Sequence, residues 1–312
     1  MTAQFPALGR EVPVYIPAGE ETLFGVVTTP ESAPNGTAVI ILSGGDEIPS
    51  TNRNRVSVRL ARRLAAQGYH ALRLDYRGIG ESTGEDAGYS LKRLAVEDLR
   101  AAVQWLEGVS VADVVLVGSC FGARTCLAFA GEIVELRGIA LISIPVIDTR
   151  PAEVTSVPLS LFVRRMRSRK PIRGLFRFDK PAHRARSARI VATGLRLSWR
   201  SLVSRWRAEG GDRWVSGSFV DALVSIIGRG IPTLILYGSD EHDYREFCKA
   251  REGRLNDILA KGRRFVRVSV LPGEVHAFAE VELQHAVEQE IVDWARELVS
   301  LQDSSSAAVG RS

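Results

Sequence analysis

Residues Val114–Phe129 read VVLVGSCFGARTCLAF. An unbroken aliphatic run ending at a glycine is what a strand buried on both faces looks like. The apolar spacing that follows is helical, so the stretch reads as strand, tight turn, helix. Cys120 sits in the turn between Gly118 and Gly122, the G-x-nucleophile-x-G arrangement that holds a reactive side chain above a sheet. A Cβ at either glycine would meet the neighbouring backbone. The helix start offers backbone N–H groups and a positive dipole end, which favour thiolate over thiol. The competing reading of Cys120 is a small buried hydrophobe, since free cysteine is among the most buried residue types.

Outward from this turn, strands and helices alternate. VPVYIP and TLFGVVTTP are two short strands joined by AGEE, and TAVIILSGG (Thr37–Gly45) is a buried strand ending in paired glycines. Val56–Gln67 is an amphipathic helix stopped by Gly68, and HALRLDYRGIGES is a strand running into a glycine-rich loop. Leu91–Leu106 reads as a helix and Ile139–Ile144 as a strand. After Pro151 the rhythm stops. It resumes with IPTLILYGSDE, a helix Tyr244–Leu259, the strand RFVRVSVLPG and a final helix Val281–Val299. Such alternation implies an α/β fold with a mostly parallel sheet covered by helices. The organisation expected is a core in two parts, 1–148 and 229–300, a helical insertion over 149–228, and a disordered polar tail, 301–312. An inserted segment of that length usually marks a functional lid.

Bulk properties narrow the class. The 312 residues are 45% hydrophobic and contain no apolar run long enough to span a bilayer. No secretion signal is read at the N-terminus, and three cysteines (Cys120, Cys126, Cys248) at unrelated spacings form neither a disulfide framework nor a zinc pattern. These features favour a cytoplasmic setting and imply no metal and no cofactor. Cys126 and Cys248 read as packing residues. The net charge of +5 is unevenly spread: residues 151–213 hold 16 Lys and Arg against 4 Asp and Glu, so the rest of the chain is net negative. The arginines are interleaved with Phe162, Phe176, Phe178, Trp199 and Trp206, which admits a solvated face or a membrane or nucleic-acid surface. The reading that suits acyl chemistry is a positive lid receiving the phosphates of coenzyme A or phosphopantetheine, or docking an acidic acyl carrier protein. Nucleic acid is not the expected partner.

A nucleophile of this kind needs a base and an acid. VLPGEVHAF places His276 just beyond the last strand, and LILYGSDEHDYREF places Asp240 at the end of the strand before it, with Glu241 and Asp243 as rivals. The oxyanion donors expected are the N–H of Phe121 and a backbone N–H after the VIILSGG strand, that of Gly45. Gly44, Asp46, Ser119 and His242 are expected to line the substrate site. RGIGES lacks the phosphate-loop pattern and reads as a structural turn braced by Asp75 and Arg77.

With these residues in place the chain resembles the α/β-hydrolase superfamily over nearly its whole length, in the order nucleophile, acid, histidine. LDYRGIGES is similar to the D-x-R-G-x-G-x-S loop of its esterase and thioesterase branches. Within the superfamily the chain resembles the cysteine-bearing hydrolases associated with exosortase systems, which share the G-G after the third strand and a G-x-D-x-x-x-x-E-F run matching GSDEHDYREF. That match puts the acid at Asp240; the spacing of many other members puts it at Glu241. The elbow, with Phe121 and Gly122, and the basic lid depart from the exosortase group. The resemblance implies an eight-stranded sheet flanked by helices and attack by Cys120 on an ester or thioester, followed by hydrolysis or acyl transfer. Elimination of an acyloxy group from a biosynthetic intermediate, with His276 as base, is an alternative, as is a catalytically silent binding module using its basic lid.

Overall fold

A computed structural model describes residues 9–31, 33–45, 48–85, 88–108, 111–148 and 214–309. By its internal contacts the chain divides into two compact units, Met1–Asp148 with Val215–Ser312, and Thr149–Trp214. The second unit, which holds the basic insertion with its expected helix Leu195–Trp206, lies outside the described residues except at Trp214.

Eight strands form one sheet: β1 (Glu11–Ala18), β2 (Glu21–Thr28), β3 (Thr37–Leu42), β4 (His70–Leu74), β5 (Asp113–Ser119), β6 (Leu136–Ile142), β7 (Thr233–Gly238) and β8 (Val266–Leu271). Their spatial order is β1-β2-β4-β3-β5-β6-β7-β8. β1 and β2 form an antiparallel hairpin, β2 lies antiparallel to β4, and every pair from β4 to β8 is parallel. The α/β-hydrolase architecture expected from the sequence is therefore the one observed.

The helices are α1 (Val56–Ala65), α2 (Val96–Gly108), α3 (Phe121–Phe129), α4 (Gly217–Gly228), α5 (His242–Ala250), α6 (Arg254–Lys261) and α7 (Val281–Val309). α1 and α7 cover one face, where Val39, Ile41, Val115, Val117, Ala140, Ile142, Leu234 and Leu236 pack against Leu60, Leu64, Ile291, Trp294 and Leu298. α2, α3 and α4 pack together on the other. Strand residues alternate between faces. β3 and β7 are buried at every position, as continuous aliphatic runs in a doubly covered sheet must be.

Four readings of the sequence differ from the structure. α2 begins five residues after Leu91, because Ser90 and Arg93 pair with each other through their backbones and hold the preceding chain out of the helix. The helix expected over Tyr244–Leu259 is two, α5 and α6, divided at Gly253, where a residue without a Cβ disfavours helix continuation. α7 runs on to Val309, through residues expected to be a disordered tail. Once a helix is nucleated, each added residue brings one further hydrogen bond, so the polar end continues it. Residues 217–228, read from the sequence as part of the insertion, form α4 inside the larger unit.

Candidate active site

In a parallel sheet every strand delivers its C-terminal end to the same edge, and ligands bind where neighbouring strands lead off in opposite directions. That switch point lies between β3 and β5, because the chain leaves β3 for β4 on one side and returns to β5 on the other. Gly44 follows β3 and Cys120 follows β5 there. Ser143, Glu241 and His276 follow β6, β7 and β8 along the same edge.

Cys120 occupies the turn between β5 and α3 with φ 49° and ψ −111°. A non-glycine residue in this region is strained, by about 1–3 kcal/mol. The surroundings fix it. Its N–H donates to the Ile142 carbonyl at 2.8 Å, and its own carbonyl accepts from Arg124 N–H at 3.1 Å, closing the first turn of α3. The flanking glycines are sterically required. A Cβ at Gly118 would lie 2.5 Å from the Gly122 carbonyl, and one at Gly122 would lie 2.5 Å from the Ser43 carbonyl oxygen. The Phe121 ring is held edge-on by Tyr76, with centroids 5.4 Å apart, and lies 5.9 Å from Tyr89. Tyr76 in turn donates to the Ser43 carbonyl at 2.9 Å. The residue after the cysteine and the strand end bearing Gly44 are thus tied to one buried tyrosine.

The RGIGES loop braces this arrangement. One Asp75 carboxylate oxygen accepts the Ser50 amide at 2.5 Å and the other accepts the Glu81 amide at 3.2 Å. The Arg77 amide donates to the buried Asp98 carboxylate at 2.8 Å, and Tyr89 donates to the same oxygen at 2.8 Å.

The two neighbouring acids after β7 have different surroundings. Asp240 is exposed, and its carboxylate accepts the Ser239 hydroxyl at 2.9 Å. Glu241 is 3% exposed. Its Oε1 accepts the Ser143 hydroxyl at 2.9 Å and the backbone N–H of His276 at 2.5 Å. Its Oε2 is buried and has no hydrogen-bond partner among the described residues. Burial lifts the Glu241 carboxyl above its ordinary range, and the Ser143 and His276 bonds only partly oppose this. The loops after β7 and β8 meet because residue 238 lacks a side chain: a Cβ there would lie 2.4 Å from the Gly273 carbonyl oxygen. Asp243 is also buried, on α5; burial raises the Tyr237 phenol pKa, and the nearby Asp243 and Glu241 carboxylates add to it.

Other expected site residues take varied positions. Gly44 presents a carbonyl to the Phe121 N–H at 3.4 Å. Gly45 accepts from the Ile48 amide at 3.5 Å. Ser119 is buried beside Gly44, its hydroxyl without a hydrogen-bond partner among the described residues. His242 begins α5 with its side chain half exposed, 3.8 Å from the Glu246 carboxylate. Asp46 lies outside the described residues. Cys126 is fully buried, and burial pushes its thiol pKa far up, which suits packing and not reactivity.

Two residues were not singled out from the sequence. Ser143, with φ 47°, aims its hydroxyl at Glu241, and nothing in "LISIPV" distinguishes it. Arg124, 2% exposed in the first turn of α3, donates to the carbonyls of Pro145 and Ile147, the Asp148 carboxylate and the hydroxyls of Ser216 and Ser218. It ties together the two points where the chain leaves and re-enters the larger unit. An arginine in an otherwise apolar helix was the signal available.

The family model for the alpha/beta hydrolase family matches residues 40–281, which include Gly44, Cys120, Glu241 and His276. The chain belongs to the alpha/beta hydrolase family. Among solved structures, the proline iminopeptidase of Mycobacterium smegmatis is 16% identical, with 93% of this chain and 100% of that chain covered and a TM-score of 0.55. The Pyrococcus furiosus esterase Pf2001 is 15% identical, with 93% of both chains covered and a TM-score of 0.57. The thioesterase domain from the curacin biosynthetic pathway is 16% identical, with 91% of this chain and 99% of that chain covered and a TM-score of 0.51. At these identities the likeness is one of fold. No curated protein sequence matches the chain. No described helix of this alpha/beta hydrolase is long and apolar enough to cross a membrane.

Proposed function

We propose that this alpha/beta hydrolase is an acyl-transfer enzyme acting on an ester or thioester through Cys120, His276 and Glu241. Cys120 Sγ attacks the carbonyl carbon. His276 takes the thiol proton and returns it to the leaving alcohol or thiol. The thioester then held on Cys120 is cleaved by water or by an acceptor nucleophile that His276 deprotonates. Glu241 orients His276 in place of the sequence-expected Asp240, a reading supported by its burial and by its bond to the His276 backbone. Its unpartnered Oε2 is an acceptor for an imidazole N–H.

The observation that carries this reading is the backbone of Cys120. A cysteine kept only for packing gains nothing from φ 49° and ψ −111°, whereas a nucleophile held above a sheet edge at a helix start requires such a turn. Thiolate chemistry favours thioester-level substrates, because the acyl-cysteine formed remains open to amine and thiol acceptors as well as water. A carrier-bound or coenzyme A substrate suits the basic composition of residues 151–213.

The test is turnover of a panel of p-nitrophenyl esters and acyl thioesters by wild type, Cys120→Ala and Cys126→Ala. The expected result is activity in wild type and Cys126→Ala and none above background in Cys120→Ala. Activity retained in Cys120→Ala contradicts the covalent mechanism.

A further inference from the structure

Acyl transfer through a cysteine generates an oxyanion, and backbone N–H groups must already point at the place where its charge appears. The donor expected from the elbow is the Phe121 N–H. In the structure that N–H faces the Gly44 carbonyl oxygen at 3.4 Å. An acceptor therefore stands where the oxyanion would sit, and the Gly44–Gly45 peptide presents oxygen to the site instead of hydrogen. The contact is long for an N–H···O bond, so little is lost in breaking it. The Ser119 hydroxyl lies beside the same loop, 2.9 Å from where a Cβ on Gly44 would be.

We infer that the oxyanion site has a closed form, blocked by the Gly44 carbonyl as in the structure, and opens by a flip of the Gly44–Gly45 peptide, which delivers the Gly45 N–H as the second donor. The inference rests on the proposed acyl-transfer role of Cys120 and specifies how its site is switched on. In a trans peptide C=O and N–H point in opposite directions, so one rotation removes the oxygen and aims the Gly45 hydrogen at the space it left. The movement is that which interconverts type I and type II turns. It leaves the Cα atoms nearly in place and carries φ of the second residue from negative to positive, a region that favours glycine. Gly45 does not have positive φ in the structure, so an alanine there is compatible with the closed form and penalises the open one. Gly44 is unsuitable for the test, because a Cβ would press on Ser119 Oγ at 2.9 Å and on Cys120 Cβ at 3.3 Å.

The experiment compares wild type, Gly45→Ala, Ile48→Ala and the double variant, the last because a Cβ at residue 45 approaches the Ile48 side chain at 3.2 Å. Two rates are read on each: alkylation of Cys120 by iodoacetamide, which forms no oxyanion, and acylation by p-nitrophenyl acetate. Gly45→Ala and the double variant are expected to alkylate within about twofold of wild type but to acylate at least about tenfold more slowly, with Ile48→Ala near wild type. Acylation of Gly45→Ala at the wild-type rate would overturn the flip. Alkylation of wild-type Cys120 without any acylation would overturn the acyl-transfer reading and the flip with it.

Discussion

At the scale of single residues, the site turns on which of two adjacent carboxylates points inward. GSDE carries no periodicity to separate Asp240 from Glu241. The choice is made by the tertiary turn, in which the Ser239 amide bonds to the Leu271 carbonyl and the Asp240 amide to that of Gly273. Those bonds leave the Asp240 side chain in solvent and carry Glu241 into the cleft beside Ser143. The Glu241 carboxyl is lifted above its ordinary 4.5 by burial. The folded protein therefore holds this proton more tightly than the unfolded chain. Its contribution to stability is greatest below 4.5 and declines as pH rises from there through the raised value. Glu241→Gln removes that decline. Relative to wild type, the variant is expected to gain stability between about pH 4 and about pH 7 while losing most acyl-transfer activity. Urea midpoints at the two pH values check the first part, and an unchanging difference contradicts it. Asp240→Asn is expected to leave activity within about threefold of wild type.

At the scale of elements, the sheet and the elbow were legible in the sequence because burial leaves a mark there. Runs of mostly apolar residues become strands buried at every position, as β3 and β7 show. The glycines at 118 and 122 report the close passage of α3 over β5 and β3. Boundaries set by long-range partners were not legible, such as the late start of α2. Gly122→Ala puts a Cβ 2.5 Å from the Ser43 oxygen and 2.9 Å from that of Leu42, both backbone atoms with little room to move. A loss of about 2–3 kcal/mol is expected, read as a lower denaturant midpoint at unchanged slope. Arg124→Met removes the donor shared by Pro145, Ile147, Asp148, Ser216 and Ser218. About 3 kcal/mol is expected to be lost, because the buried acceptors then have no partner. A loss below about 0.5 kcal/mol would show that water replaces the guanidinium.

At the scale of the whole molecule, the family was legible because Cys120, Glu241 and His276 follow β5, β7 and β8 in turn, an order that the sequence preserves as element order. Substrate choice is not carried by that order. The same sheet serves a proline iminopeptidase, an esterase and a thioesterase domain among the structures it resembles. What this chain adds is a strongly basic composition in residues 151–213 on an otherwise net-negative protein. If that charge meets substrate phosphates, KM for an acyl-coenzyme A should rise at least about fivefold between about 20 and 300 mM salt, while KM for a neutral p-nitrophenyl ester stays flat. Parallel behaviour of the two substrates would remove the electrostatic role. Whether Cys120 carries the acyl group is read by intact-mass measurement after rapid mixing with an acyl thioester. One acyl group per chain is expected, located on Cys120 and absent in Cys120→Ala; turnover without any adduct, or an adduct that persists in Cys120→Ala, would rule out a covalent role for Cys120.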